Sequence, residues 1–280
     1  MFNHFQDTIT GWPGGKPGAD DSTRPERKSP KSKRVIIFSP HPDDDVVSMG
    51  GTFDRLVSQG HEVHIAYQVK GNIAVSDHDA LKFIEVSKDL FKNESKVPVS
   101  ELIKELKNNK PDKIDSQAVR NLKGFIRKSE AIAATRYIGI PDSNTHFLNL
   151  PFYDTGRIKK NPPTKKDVLI TASLINKIKP HQIFAAGDLE DPHGTHKVCL
   201  DIILEALETL KGEKFMKDCW LWLYRGAWLD WDIHDIDMAV PMSPAQVLRK
   251  RKAIFFHQTQ KDGVMSVSYT HLTLPTSYAV

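Results

Sequence analysis

Two short segments of the chain carry side chains that could do chemistry together. The first is His41-Pro42-Asp43-Asp44-Asp45. Consecutive carboxylates raise one another's pKa, so three of them beside an imidazole are costly unless a cation compensates. A metal ion resolves the conflict. His41 and Asp44 are three residues apart and can turn toward one point, while Asp43 leans to its side. A plainer reading is that the carboxylates cap the following helix and face its positive end. One carboxylate suffices for that; three and a histidine exceed it. The second segment is Asp191-Pro192-His193-Gly194-Thr195-His196. His193 and His196 stand at i and i+3, which share one helical face. The plainer reading here is a pair of solvated loop histidines. Two histidines and one carboxylate with a position open to water form a catalytic zinc set. Drawn from both segments, such a set leaves Asp43 and His193 over as base and acid for metal-assisted hydrolysis. The same donors also describe a non-haem iron site.

The elements around these segments decide whether they meet. RVIIF, from Arg34, is a β-branched and aromatic run typical of a buried parallel strand, and the first segment follows it. VVSMGGTFDRLVSQG places Val47, Phe53, Leu56 and Val57 at helical spacing, with Gly60 as a stop. HEVHIAYQV is the next strand, completing a βαβ unit of the kind that builds parallel sheets. Further on, SEAIAATRYIGI reads as a helix ending at Gly139, residues 147–150 as a short strand, and KDVLITASLINKIKP as a helix stopped by Pro180. QIFAAGD is a strand, THKVCLDIILEALETLKG a long amphipathic helix and CWLWLYRG a strand. SPAQVLRKRKAIFFHQTQ is a helix with Ser243 as N-cap and Pro244 at its first position. Both chemical segments thus fall at the C-terminal ends of strands, the edge where open α/β sheets bind ligands. The expected fold is an α/β, Rossmann-like three-layer sandwich with a mainly parallel sheet. Residues 77–125, rich in Lys and Glu with a weak apolar stripe (Leu102, Ile103, Leu106), read as a helical insertion with little core of its own.

Other residues carry weaker signals. Asn72 follows the second strand, Arg127 and Glu130 are expected just ahead of a helix, and Arg225 ends a strand. Each could contact a phosphate or a sugar hydroxyl, although a surface ion pair is the commoner role. Gly50-Gly51 is too short for a dinucleotide fingerprint and is expected to bring its helix close to the sheet. Trp220, Trp222, Trp228 and Trp231 read as core and rim; His61, His64, His78 and His146 read as structural.

Composition bounds the rest. The chain has 280 residues, 39 % hydrophobic and 26 % charged, which suits a soluble globular protein of one large or two small domains. No apolar run reaches the length of a membrane span, and no signal peptide is expected. Two cysteines, Cys199 and Cys219, exclude a disulfide scaffold and a four-cysteine zinc site, and a reducing, cytoplasmic setting is expected. A net charge of +4 is far from the basic stripe of a nucleic-acid binder. Residues 1–33 are rich in Gly, Pro and charge and read as a linker, with a further segment expected ahead of them. Residues 266–280 carry no Asp, Glu, Lys or Arg, and YTHLTLPT looks like translated sequencing adapter. The functional domain is therefore expected over 34–262.

The segment VIIFSPHPDDDVVSMGGT, followed much later by HGTH, resembles the LmbE/PIG-L family of zinc-dependent de-N-acetylases. AIFFHQTQ is similar to that family's closing His-x-Ser-Gln element. The resemblance implies that His41, Asp44 and His196 ligate one Zn2+, with another divalent metal such as Fe2+ open. It implies that Asp43 is the general base and that His193 stabilises or protonates. The substrate implied is an N-acetylated amino sugar or sugar conjugate. Asp45 stands where the family commonly has Glu, and His-Gly-Thr-His replaces the common His-Pro-Asp-His, which removes an acidic residue beside the metal. GWPGGKP, DDSTRPER and AYQVKGNIAV further resemble the C-terminal half of bacterial proteins that join a glucosamine-6-phosphate deaminase-like domain to an LmbE-like domain. That resemblance implies an N-terminal deaminase-like domain in the full-length protein, a small-molecule partner, no nucleic acid and no membrane span; homo-oligomerisation stays open. Two rival readings remain: a non-catalytic or regulatory sugar-binding half of such a fusion, and a non-haem iron enzyme.

Overall fold

The computed structural model describes residues 32–90, 99–109, 113–157, 159–226, 228–238, 240 and 242–261. The linker reading of residues 1–33, apart from residues 32 and 33, and the tail reading of 266–280 lie outside these. Five strands, β1 (Arg34–Ser39), β2 (Glu62–Tyr67), β3 (Thr145–Phe147), β4 (Gln182–Ala186) and β5 (Trp220–Tyr224), form one sheet in the order β3-β2-β1-β4-β5. All four pairings are parallel. Side chains alternate between the two sheet faces. In β1, Val35 and Ile37 enter one core while Ile36 and Phe38 enter the other, and all four are fully buried. A strand buried on both faces must be apolar throughout, which is why RVIIF shows no alternation.

Helices cover both faces, giving the three-layer α/β sandwich. On one face lie α1 (Asp44–Ser58), the later turns of α4 (Gln117–Ile138) and α7 (Pro244–Ile254). On the other lie α5 (Lys165–Ile178) and α6 (Thr195–Leu210). From β1 the chain moves outward to β2 and β3, then crosses to β4 on the other side of β1. The loops after β1 and β4 therefore diverge and flank a crevice at this switch point. Local signals hold at the helix ends. Gly60 and Gly139 take positive φ (+76° and +111°) just past α1 and α4. Ser243 accepts from the Gln246 amide while Gln246 Oε1 accepts from the Ser243 amide, and Pro244 opens α7.

Four expectations are corrected. First, α4 runs unbroken from Gln117 because Ser116 Oγ accepts the Val119 amide at 3.2 Å and the apolar stripe continues through Ile126, Ala131, Ala134 and Ile138. Residue 125 is thus no boundary, and Arg127 and Glu130 lie inside a helix rather than ahead of one. Second, α2 (Asp77–Leu90), α3 (Val99–Lys107) and the first turns of α4 do possess a core, built from Val75, Ala80, Ile84, Leu102, Leu106, Val119 and Ile126. Third, Gly50 and Gly51 admit α7 and its approach, not the sheet. A Cβ on Gly50 would lie 2.8 Å from Lys250 Cγ, and one on Gly51 would run into the Met242 side chain. Fourth, β3 covers 145–147 rather than 147–150. Asn149, at φ +48°, breaks the extended ladder, although the amides of Leu148 and Leu150 still reach Tyr67 and Gln68.

Leu106→Ala should cost about 2–5 kcal/mol within this third core. Hydrogen exchange should accelerate in α2 and α3 while the amides of β1 and β4 stay protected; uniform acceleration would show that the unit has no separate stability. A second outcome concerns β2 and β3, where His64 Nδ1 lies 3.1 Å from His146 Nε2 and His64 Nε2 lies 3.1 Å from Glu62 Oε1. Burial, with His64 and Lys177 acting in the same direction, lowers His146 to about 4. The unfolded chain, with a histidine pKa of ~6.5, takes up that proton first. Stability should therefore fall from pH ~6.5 to about 4, and His146→Gln should flatten that part of a plot of urea midpoint against pH.

Candidate metal centre

The loop after β1 is folded by its own polar groups. Ser39 Oγ accepts the Asp45 amide at 3.1 Å and donates to the His41 carbonyl at 2.5 Å. The His41 amide donates to Asp44 Oδ2 at 2.7 Å. This turn brings His41 and Asp44 to one point, with Nδ1 of the ring 3.2 Å from the same Oδ2. The loop after β4 supplies the third group. Asp191 accepts the amides of Thr195 (2.8 Å) and His196 (3.0 Å), so it caps α6 and holds His196 at the helix start. His196 Nε2 lies 3.2 Å from Asp44 Oδ2. The donor atoms of His41, Asp44 and His196 all fall within 4.8 Å of one another.

The donor set fits a metal. His196 Nδ1 lies 2.9 Å from the Asp188 carbonyl, which can only accept, so Nδ1 carries the proton. In the neutral ring Nε2 then presents a lone pair to a carboxylate oxygen, which only a proton or a metal between them makes favourable. Two ligands of a tetrahedral zinc, each at ~2.0–2.1 Å, sit ~3.3 Å apart, close to both 3.2 Å separations. The charges agree. Burial alone would raise Asp44, but His196 and His41 outweigh it and hold its carboxyl well below the usual range. Burial alone would lower His196, but Asp44, with Asp191, raises it to about 9.

Asp43 points elsewhere. Its Oδ1 accepts Arg127 Nη2 at 2.8 Å, and both side chains are buried. Burial raises the Asp43 carboxyl, against the opposing charge of Arg127. Arg127 Nε and Nη1 have no hydrogen-bond partner among the described residues. One turn along α4, Glu130 accepts the amide and hydroxyl of Thr259, each at 2.8 Å, tying this helix to the segment after α7. His257, in that same segment, is buried with neither ring nitrogen hydrogen-bonded among the described residues; burial, with Arg127, pushes it to about 3. Burial likewise raises Asp45 to about 7, opposed by the Tyr67 hydroxyl that donates to Oδ2 at 2.9 Å.

Of the sequence-selected residues, the fold brings His41, Asp44 and His196 together, with Asp43 and Arg127 beside them. His193 does not join the cluster and is exposed. The expected shared helical face is corrected: α6 begins only at Thr195, and Gly194, at φ +64°, turns the chain between the two histidines. Asn72 is buried just past Gly71, whose φ of +64° and missing Cβ admit Pro42 and Arg127; a Cβ there would lie 2.9 Å from Pro42 Cδ and 3.1 Å from Arg127 Nε. Arg225 donates Nε to the Gly187 carbonyl at 3.0 Å and stacks on Trp231 at 3.8 Å, bracing the ends of β4 and β5. Sequence reasoning missed the parts played by Tyr67, Glu130, Asp188 and His257. For α4 a signal existed: Lys123, Arg127 and Glu130 interrupt an apolar face at helical spacing, which buried helices tolerate only where partners wait.

A parallel three-layer α/β domain with a two-histidine, one-aspartate donor cluster at its switch point defines the class of protein. The chain belongs to the PIG-L/LmbE family: the family model described as PIG-L, GlcNAc-PI de-N-acetylase, matches residues 36–207. This bears out the resemblance read from the two motifs. The chain is 53 % identical over 272 residues to a glucosamine-6-phosphate deaminase-like protein of Bacteroides thetaiotaomicron, a match covering 94 % of this chain and 41 % of that one. It therefore spans about two fifths of that relative's length. Among solved structures, an N,N'-diacetylchitobiose deacetylase from Pyrococcus horikoshii is similar with a TM-score of 0.56 at 18 % identity, covering 90 % of this chain and 79 % of that one. At that identity the likeness establishes the fold. The A40926 pseudoaglycone deacetylase Dbv21 is similar at a TM-score of 0.47 and 19 % identity, over 85 % and 84 % of the two chains. No helix among the described residues is long and apolar enough to cross a membrane.

After treatment with a chelator, adding Zn2+ back should raise the melting temperature of the wild-type chain, since a ligand that binds only the folded state stabilises it. His196→Ala should abolish that rise. An equal rise in both would put the ion elsewhere.

Proposed function

We propose that this chain is a zinc-dependent hydrolase that removes the N-acetyl group of an amino sugar or sugar conjugate, giving acetate and a free amine. One observation carries the reading: a buried carboxylate, Asp43, lies one residue from the donor cluster yet is turned away from it and held by Arg127. His41, Asp44 and His196 would hold the ion. Bound there, zinc supplies Lewis-acid polarisation of an amide carbonyl and makes water more acidic. Asp43 accepts the proton of the attacking water. Arg127 occupies Oδ1 and so fixes the carboxylate's orientation, while burial keeps it more basic than an exposed aspartate. His193 stabilises the developing oxyanion or delivers a proton to the leaving nitrogen. Its support is its exposed place in the loop that presents His196. Arg127, through Nη1, and the buried Asn72 are the groups we assign to substrate hydroxyls; Arg225 contributes from the rim, where two of its nitrogens already hold backbone carbonyls.

A non-haem iron enzyme could use the same three donors. A base beside a ligand at a parallel-sheet edge favours hydrolysis over that reading. The length of the Bacteroides relative supports a whole protein in which a deaminase-like domain precedes this one; in that protein a regulatory, sugar-binding role is the second reading. We place its action in the cytoplasm.

Asp43→Asn keeps shape and removes basicity. Acetate release from a panel of N-acetyl sugars should fall by roughly 10²–10⁴-fold, with zinc content by elemental analysis unchanged. Loss of zinc would make Asp43 a ligand; undiminished release would place the base elsewhere.

A further inference from the structure

Resting on the reading above, we propose that a cavity beside the metal loop binds an anionic group of the substrate, a phosphate ester or a carboxylate carried on the sugar. The cavity, of about 260 Å³, is lined by Pro42, Lys70, Phe125, Lys128 and Asn149 among others. Pro42 stands between His41 and Asp43, so the cavity opens one residue from the donor cluster, and neighbouring Cα atoms are only ~3.8 Å apart. A sugar with its acetamido group at the cluster would turn another substituent into this space.

Three elements converge on it, and their chemistry matches an anion. Lys70 follows β2; its ammonium lies 3.4 Å from Asp154, a carboxylate that Arg120 also approaches at 3.8 Å. One carboxylate thus faces two cations. Lys128, on α4, has its ammonium 5.0 Å over the Phe147 ring and no carboxylate partner among the described residues. Positive charge is therefore left in excess at the cavity wall. Asn149 adds a side-chain amide to the cavity lining. Its Nδ2 makes only a long 3.4 Å contact to the Phe147 carbonyl. Phe125 is 66 % exposed, a large apolar face that a sugar ring can cover. A neutral sugar would use the ring and leave the excess charge unmatched; an anionic sugar uses both.

The test compares kcat/KM for acetate release from N-acetylglucosamine, its 6-phosphate, its 1-phosphate and N-acetylmuramic acid, using the full chain loaded with Zn2+. The expected result is a preference for at least one anionic member, weakened by salt. The arms separate phosphate from carboxylate. In Lys128→Gln and Lys70→Gln, the ratio of anionic to neutral kcat/KM should fall about tenfold, the equivalent of one charge-assisted hydrogen bond. Lys128→Arg should restore most of it. A wild-type enzyme with no anionic preference, or ratios untouched by both substitutions, would overturn the proposal while leaving the deacetylase reading in place. If no sugar releases acetate, calorimetric titration with glucosamine 6-phosphate decides. Binding that weakens in Lys128→Gln supports the anion site although the deacetylase reading fails; absence of binding overturns the site as well.

Discussion

The structure turns on burying three consecutive carboxylates at the end of one strand. Asp43, Asp44 and Asp45 are 5 %, 7 % and 0 % exposed. An uncompensated buried charge costs several kcal/mol, and like charges side by side add to that. Each carboxylate is answered by a different part of the fold: Asp43 by Arg127 from α4, Asp44 by His196 from α6 with His41, and Asp45 by Tyr67 from β2. Helix α4, helix α6 and strand β2 cannot shift far without stranding one of these charges. The motif is thus a structural constraint as well as a chemical one.

On the proposed function, the same arrangement separates the roles of three identical side chains. A metal ligand must be ionised, and the histidines hold Asp44 well below the ordinary range. A general base needs basicity, and burial raises Asp43 despite its arginine. Asp45 is raised to about 7 and accepts a hydroxyl rather than a cation, which ties the loop to β2. Environments that push neighbouring pKa values apart are how one residue type serves several functions in a small space.

The helical unit of α2, α3 and the first turns of α4 belongs to this logic. Its own apolar core and the buried Lys123, paired with Asp77 and Asp115, stiffen the first half of a 22-residue helix. The second half of that helix packs on the sheet core, and between the two stand Arg127 and Glu130. Glu130 reaches the chain segment after α7, which also carries His257. An element that reads as a surface insertion therefore forms one wall of the site and links it to the end of the described fold.

The sequence by itself determined the alternation of strands and helices, the capping of α7 at Ser243, the stops at Gly60 and Gly139, and the pairing of His41 and Asp44 with His196. These are legible because periodicity, capping and the chemistry of a donor set depend on residues close in the chain, and because parallel topology sends both loops to one edge. Only the tertiary structure decided which groups answer the remaining charges. Arg127 meets Asp43 and Glu130 meets Thr259 across long stretches of chain, and nothing local to either residue specifies its partner. Gly50-Gly51 could have faced sheet or helix until α7 was seen to occupy the space. His193 and His196 are three apart in sequence, yet the positive φ of Gly194 ahead of the first turn of α6 places one in solvent and the other in the cluster. Spacing predicts geometry only within an element, and here the element begins between the two histidines.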